Sequence, residues 1–155
     1  MLAHARTLAL AGFAQDVPIE ERYDPSLPPA LVNRDALTQV LLNLLKNAAE
    51  ALGSTPEPRT AIATAFRHGV AKRVFPGGER VVLPIEICVV DNGPGPPPDI
   101  AGQLFDPFVS GRREGIGLGL PLVDKLVRDM GGLVQHARED DRTVFRLLLP
   151  RASRA

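Results

Sequence analysis

The sequence is poor in three respects: it has no tryptophan, a single cysteine and no surplus of charge of either sign. Cys88 cannot form an internal disulfide, and its place in the apolar run IEICVV predicts a buried structural thiol in a reducing compartment. Lys and Arg total 18 and Asp and Glu total 18, which excludes a strong field that would attract nucleic acid or an anionic membrane. No apolar run approaches the roughly 20 residues needed to cross a bilayer, and the N-terminus lacks the layout of a signal peptide. We therefore expect a soluble cytoplasmic protein, and its 155 residues suffice for one domain with its own core.

The order of predicted elements favours an α+β fold with a mixed sheet. Asn33 is a suitable N-cap for a long helix, and Gly53 is a suitable stop. The stretch 68–79 is expected to be a long excursion between two strands. Some strands follow each other directly, whereas a doubly wound sheet would place a helix between them. Strands are predicted over 17–23, 60–66, 80–90, 133–137 and 143–149, the last two as a hairpin around REDDR, and helices over 2–12, 34–52, 98–104 and 117–130.

The helix over 34–52 carries a polar stripe opposite its apolar face. A solvated surface would explain Lys46 and Glu50, but two asparagines four residues apart are poor helix formers. Their amide oxygens could coordinate a hard cation or hydrogen-bond a ligand without adding charge. At about 100° per residue, the apolar face comprises Leu37, Leu41, Leu44 and Ala48, and the stripe comprises Gln39, Asn43, Lys46, Asn47 and Glu50.

The segment DNGPG follows a predicted buried strand and brings Asp91 to the end of that strand. A carboxylate there could accept a hydrogen bond from an exocyclic amine such as that of adenine. Gly93 and Gly95 would let a flat ring approach the backbone closely. When these residues are taken alone, an ordinary turn is the favoured explanation.

Three glycines, Gly115, Gly117 and Gly119, stand where a loop becomes the helix over 117–130. The first turn of a helix has unpaired N–H groups and the positive end of the dipole, which suits a phosphate. The spacing is neither that of a P-loop nor that of a Rossmann site. Further along this helix, the residues expected to face the core are Leu122, Val123, Leu126, Val127 and Met130.

Four segments in this order, NLLKNAAEA, DNGPG, LFDPF and GIGLGL, resemble the N, G1, F and G2 boxes of the ATP-binding catalytic domain of sensor histidine kinases. These domains belong to a wider superfamily that includes gyrase and MutL. The stretch ERYDPSLPPALVNRDALTQVLLNLLKNAAEA is most similar to nitrogen-regulation sensor kinases of the NtrB type. The resemblance implies a two-layer α/β sandwich, the Bergerat ATP-binding fold, with a mixed sheet covered on one face by helices. It assigns residues 17–150 to the ATP-binding domain, 1–16 to a helical lead-in from a missing dimerisation and phosphoacceptor domain, and 151–155 to a C-terminal tail.

The resemblance also implies roles for individual residues. Asn47 would ligate the Mg²⁺ that bridges the ATP phosphates, with Asn43 nearby and Lys46 and Glu50 near phosphate or the metal's waters. Asp91 would bind the adenine amine above Gly93 and Gly95. Phe105 and Phe108 would anchor a mobile lid, and Arg112 would contact phosphate. The catalytic set is Asn43, Asn47 and Arg112, and backbone N–H groups for phosphate would come from Gly115, Gly117, Leu118, Gly119 and Leu120.

The expected activity is transfer of the γ-phosphoryl group of ATP to a histidine on a separate dimerisation domain, with a response regulator as a further partner. Related hydrolases place a glutamate where this chain has Asn43, and an amide is a poor base for activating water. Ile116 stands where a Thr or Ser is common, which removes one possible hydroxyl contact. The alternatives are an ATP hydrolase of the same superfamily and a non-catalytic nucleotide-binding module. We expect the isolated chain to be a monomer, since the dimerisation helices are missing.

Overall fold

The structure is a computed structural model that describes residues 2–12, 18–30, 32–53, 55–73, 76–97, 99, 101–105 and 119–152. Its helices are α1 (Leu2–Ala11), α2 (Arg34–Leu52) and α3 (Gly119–Asp129), with a 3-10 turn over Ala101–Gln103. Its strands are β1 (Ile19–Arg22), β2 (Thr60–Phe66), β3 (Ala71–Arg73), β4 (Arg80–Val82), β5 (Ile85–Asp91), β6 (Leu133–Glu139) and β7 (Arg142–Leu149). No helix in this part of the chain is both long enough and apolar enough to traverse a bilayer.

Five strands form one mixed sheet in the order β1-β2-β5-β7-β6. β1 runs parallel to β2, and the other three pairings are antiparallel. β3 and β4 form a separate antiparallel ribbon. The predicted α+β fold with a mixed sheet is therefore confirmed, with β5 at its centre.

The helices cover one face of the sheet, and the core lies between the two layers. Asn33 caps α2, because its side-chain oxygen accepts the N–H of Ala36 at 3.0 Å. The helix ends at Gly53, which has a φ of 34°. The predicted apolar face of α2 is buried, as are the strand residues that face it, Ile62, Ile85, Ile87, Val89, Phe145, Leu147 and Leu149.

We call the opposite side of the sheet the outer face; its members alternate with the core residues along each strand. Ala61, Cys88 and Val90 belong to it. Cys88 is buried as predicted, and burial raises the pKa of its thiol, which makes the thiol a poor nucleophile. The Glu86 carboxylate lies 2.6 Å from Arg146 Nε as an ion pair on the same face.

The predicted single strand over 80–90 is wrong, and the predicted excursion before it contains a short strand, β3. Pro84 interrupts the run and has no N–H to donate to a ladder. The chain therefore changes sheets: β4 pairs with β3, and only β5 joins the main sheet. Lys72 Nζ donates to the carbonyl of Gly132 at 3.2 Å and ties the β3–β4 ribbon to the body of the domain.

Three smaller expectations also need correction. The turn of the final hairpin is shorter than the predicted REDDR segment. Only two residues, Asp140 and Asp141, join β6 to β7, and their φ angles are 49° and 60°. Leu122 is 40% exposed and does not face the core, whereas Val123 and Val127 are fully buried. Of the helix predicted over 98–104, the described residues contain only the 3-10 turn, and Pro98 and Ile100 lie outside them.

Candidate functional site

The centre of the candidate site is Asp91, the last residue of β5. Its side chain is only 2% exposed and lies on the face that the helices cover. The backbone N–H of Gly93 donates to Asp91 Oδ1 at 2.9 Å, which fixes the orientation of the carboxylate. In the register of the sheet Asp91 lies between Thr60 on β2 and Thr143 on β7. A buried carboxylate is thus presented at the end of the central strand, as predicted.

The DNGPG loop lies against the C-terminal end of α2. A Cβ added to Gly93 would come within 3.0 Å of the carbonyl oxygen of Ala51, so only glycine fits here without displacement. Ala51 follows Asn47 by one helical turn, about 6 Å along the axis. The structure therefore brings the predicted amide-bearing stripe and the predicted carboxylate to the same side of the molecule.

The polar stripe of α2 lies outside the core, and its two asparagines differ in their surroundings. Both Asn43 and Asn47 are half-buried, whereas Gln39, Lys46 and Glu50 are exposed. Gln39 Nε2 donates to Asn43 Oδ1 at 3.2 Å. The Asn47 amide makes no side-chain hydrogen bond with another described residue. Asn47 thus retains an amide oxygen for a cation or ligand, and Asn43 Oδ1 already accepts one hydrogen bond.

Arg138 on β6 holds the DNGPG loop in place, and the sequence analysis did not find it. Its Nη1 donates to the carbonyl of Gly93 at 2.6 Å and to Thr143 Oγ1 at 2.9 Å. Gly95, with a φ of 76°, lies against the same two side chains. An arginine on a strand near a hairpin carries no sequence signal for this role, because only the register that pairs Arg138 with Thr143 creates it.

Thr60 is a second residue that the sequence analysis missed. It is 4% exposed, and its hydroxyl has no hydrogen-bond partner among the described residues. Such a group is costly unless something satisfies it. It lies beside Asp91 on the helix-covered face, which places an unsatisfied polar atom next to the carboxylate.

The glycine-rich entry to α3 is described only from Gly119 onward. The C-terminal end of α3 is followed by Gly132, which packs against Leu148 near the end of β7. Gly119 lies about 15 Å from that end along the helix axis, and no atom of the other described residues lies within 4 Å of a Cβ built on it. Leu120 is half-buried and packs against the core. Phe105 contacts Phe145 edge-to-face, with ring centroids 6.2 Å apart.

Several predicted site residues lie outside the described residues, and nothing structural is said of them: Phe108, Arg112, Gly115, Gly117 and Leu118. The described residues contain no group of three or more His, Cys, Asp or Glu side chains able to hold a metal ion.

The comparisons with known proteins agree with this geometry. Residues 32–153 match the family described as histidine kinase-, DNA gyrase B- and HSP90-like ATPases. The sensory histidine kinase/phosphatase NtrB of Rhizobium meliloti (strain 1021) is 49% identical over 150 residues, covering 97% of this chain and 39% of that protein. NtrB of Azospirillum brasilense is 46% identical over 153 residues, covering 97% of this chain and 37% of that protein. The chain thus spans about two-fifths of the length of these relatives.

Solved structures share the fold. The nucleotide-free catalytic domain of the histidine kinase ThkA superposes with a TM-score of 0.76 at 21% identity, covering 98% of this chain and 92% of that chain. Full-length ShkA in complex with AMPPNP superposes with a TM-score of 0.70 at 25% identity, covering 99% of this chain and 30% of that chain.

Proposed function

The chain belongs to the family of histidine kinase-, DNA gyrase B- and HSP90-like ATPases, and on that premise we propose that it binds ATP with Mg²⁺ and transfers the γ-phosphoryl group to a histidine. The acceptor histidine would lie on a separate dimerisation domain of a sensor kinase of the NtrB type. A response regulator would then receive the phosphoryl group. The NtrB proteins that align with nearly the whole chain support this assignment, as does the AMPPNP held by the similar ShkA.

One observation carries the proposal: Asp91, at the end of β5, lies beside the α2 helix that bears Asn43 and Asn47. The contact between Gly93 and the carbonyl of Ala51 joins these two elements. A nucleotide needs an acceptor for its base at one end and a cation ligand for its phosphates at the other. The separation of about one helical turn between Asn47 and Ala51 suits a ligand that extends from Asp91 along α2.

Asp91 is proposed to accept a hydrogen bond from the exocyclic amine of adenine. Its carboxylate is buried and oriented by the Gly93 N–H, so little reorganisation is needed when the base binds. The neighbouring Thr60 hydroxyl, buried and without a partner among the described residues, is a further polar group beside the base. Gly93 and Gly95 form the adjacent backbone.

Asn47 is proposed as the protein ligand of Mg²⁺, which would neutralise the charge of the phosphates. The residues present fit this ion, because Mg²⁺ usually keeps several waters and takes only one or two protein ligands beside the phosphates. The Asn47 oxygen suits this position, while Asn43 Oδ1 accepts from Gln39. Lys46 and Glu50, exposed on the same stripe, are proposed to contact phosphate or the hydration shell.

Transfer to a histidine is favoured over hydrolysis by the chemistry of Asn43. Its amide cannot remove a proton from water, and the hydrogen bond from Gln39 keeps it in place as a neutral group. The catalytic contribution of this chain would therefore be positioning and charge neutralisation. Arg112, which lies outside the described residues, and the backbone N–H groups of the G-x-G-x-G segment are proposed to contact the phosphates.

Calorimetric titration with ADP, with and without Mg²⁺, tests the proposed nucleotide contacts. Asp91→Asn keeps an acceptor for the Gly93 N–H but presents one amide instead of a carboxylate to the base. We expect its ADP affinity to fall by about tenfold to a hundredfold, the value of one buried hydrogen bond to a charged group. Asn47→Ala should retain weak binding that no longer responds to Mg²⁺. Asp35→Asn, on an exposed carboxylate at the start of α2, is the matched control.

The transfer step is tested by supplying a separate dimerisation domain with its acceptor histidine. Wild-type protein should phosphorylate that domain from ATP, and Asn47→Ala should not. Unchanged ADP affinity in Asp91→Asn would contradict the assigned base contact. Steady-state phosphate release that Asn47→Ala abolishes would identify a hydrolase, and nucleotide binding without transfer would identify a non-catalytic module.

A further inference from the structure

Three polar side chains form one row across the end of the sheet, on the face that the helices cover. Thr60 on β2 pairs with Asp91 on β5, and Asp91 pairs with Thr143 on β7. All three residues are buried, with exposed fractions of 4%, 2% and 2%. Directly opposed residues on one face have Cβ atoms about 5 Å apart, so the two hydroxyl groups flank the carboxylate.

Thr60 differs from the other two members of this row in its hydrogen bonding. The Gly93 N–H donates to Asp91 Oδ1 at 2.9 Å, and Arg138 Nη1 donates to Thr143 Oγ1 at 2.9 Å. The Thr60 hydroxyl has no partner among the described residues, although its oxygen is shielded from solvent. An unpaired buried hydroxyl lowers stability, and a valine would fill the same space without that loss. Thr60 therefore retains both its O–H donor and its acceptor for a ligand.

The neighbouring threonines are less suited to contact a ligand. The Thr143 oxygen already accepts one hydrogen bond, and a Cβ added to Gly95 would lie 3.0 Å from it. Thr64 lies on the same face of β2 as Thr60, but its hydroxyl oxygen accepts the backbone N–H of Asp24 at 2.7 Å. Both of these hydroxyl groups thus have a structural role, whereas nothing within the described residues explains that of Thr60.

The Asp91 carboxylate and the Thr60 hydroxyl together match one edge of adenine. The Watson–Crick edge of this base presents its exocyclic amine, a donor, beside the ring nitrogen N1, an acceptor. A carboxylate accepts and a hydroxyl can donate, so the two side chains offer the complementary pattern. Guanine presents the reverse pattern, a carbonyl oxygen beside an N–H, and its oxygen would face the Asp91 carboxylate.

We propose that Thr60 determines base specificity in the nucleotide site: its hydroxyl donates to N1 of adenine, directly or through one buried water, while Asp91 accepts from the exocyclic amine. This inference rests on the proposed nucleotide function and adds a second contact to the base. The hydroxyl lowers the stability of the free protein and raises its affinity for the nucleotide. Removal of the hydroxyl should therefore shift these two quantities in opposite directions.

Calorimetric titration with ADP and with 1-deaza-ADP, in which a C–H group replaces N1, tests the contact in the presence of Mg²⁺. Wild-type protein should bind 1-deaza-ADP about threefold to tenfold more weakly than ADP, the value of one neutral hydrogen bond. Thr60→Val should lose a similar factor in ADP affinity and should bind the two nucleotides equally, because the variant lacks the donor to N1. Thr60→Ser keeps the hydroxyl and should retain the preference for ADP.

Thermal unfolding of the free proteins supplies the second readout. Thr60→Val should raise Tm, since it removes a buried hydroxyl without a partner. Thr64→Val is the matched control on the same strand and face. It removes the acceptor for the Asp24 N–H and should lower Tm, while the preference for ADP over 1-deaza-ADP stays as in wild type.

Equal affinity of the wild-type protein for the two nucleotides would overturn the assignment of Thr60. A wild-type preference for ADP in Thr60→Val would do the same, whatever the Tm of that variant. ADP binding that requires Asp91 but is unchanged in Thr60→Val would refute this inference alone. Failure of the wild-type protein to bind ADP would refute the proposed function and this inference with it.

Discussion

Replacing Arg138 by methionine is expected to weaken nucleotide binding, although no ligand contact is assigned to this arginine. Its Nη1 is the donor to the Gly93 carbonyl and to the Thr143 hydroxyl. Methionine keeps most of the aliphatic stem and removes both donors, so the change acts on the polar contacts more than on packing. The loop that presents Asp91 would lose its attachment to β6.

The size of the effect follows from the two lost bonds. A hydrogen bond to a charged donor contributes about 1.5–3 kcal/mol when buried, and Arg138 is exposed, so water replaces part of it. We take about 1.5 kcal/mol as the combined contribution of the two hydrogen bonds of Arg138. Asn92 and the bond from Gly93 to Asp91 still hold the loop, and the loss in ADP affinity should therefore be about threefold to tenfold. The same loss would lower Tm by about 3–6 °C for a chain of this size.

Calorimetric titration with ADP and Mg²⁺, beside thermal unfolding of the free protein, measures both quantities. Arg73→Met is the matched control, since Arg73 is exposed on the separate ribbon and no hydrogen bond or ion pair of its side chain occurs among the described residues. A lowered Tm with unchanged ADP affinity would show that Arg138 only stabilises the fold. Equal affinity losses in both variants would show that the effect is one of net charge.

Three further predictions concern stability. Gly132→Ala places a Cβ 2.5 Å from the carbonyl oxygen of Leu148, and urea unfolding should show a loss of about 1–3 kcal/mol. Burial, with the charge of Arg138 adding to it, lowers the pKa of His136 below its usual value. The unfolded chain then binds the proton more readily, so stability falls as pH drops below about 6.5, and His136→Leu should flatten that decline in unfolding measured from pH 7 to pH 5. Asn33→Ala removes the cap of α2 and should cost about 1 kcal/mol in the same urea assay.

Two of these predictions have a control variant, and the third has an outcome that would contradict it. Gly102→Ala places its new Cβ more than 4 Å from every atom of the other described residues, and it should change stability by less than about 0.5 kcal/mol. Asn33→Ser keeps a cap acceptor and should restore most of the lost stability. Parallel pH curves for wild type and His136→Leu would show that another group causes the acid loss.

The sequence alone predicted the features that depend on local chemistry. The limits of α2 followed from the cap at Asn33 and the stop at Gly53, and both are present in the structure. The apolar face of that helix and the position of Asp91 at a strand end were also read correctly, because helical period and strand length need only neighbouring residues. The roles of Asn47 and Asp91 toward a nucleotide remain predictions.

The tertiary structure determined the register of each strand and the neighbours of each element. The segment over 80–90 is divided at Pro84, and its two halves pair with different strands. Leu122 is exposed because the rest of the domain covers less of the α3 surface than the apolar pattern of that helix predicts. Arg138 and Thr60 entered the site only through the pairing of β6, β7, β2 and β5. Such contacts join residues far apart in the chain, and their energies depend on a register that no local pattern of residues contains.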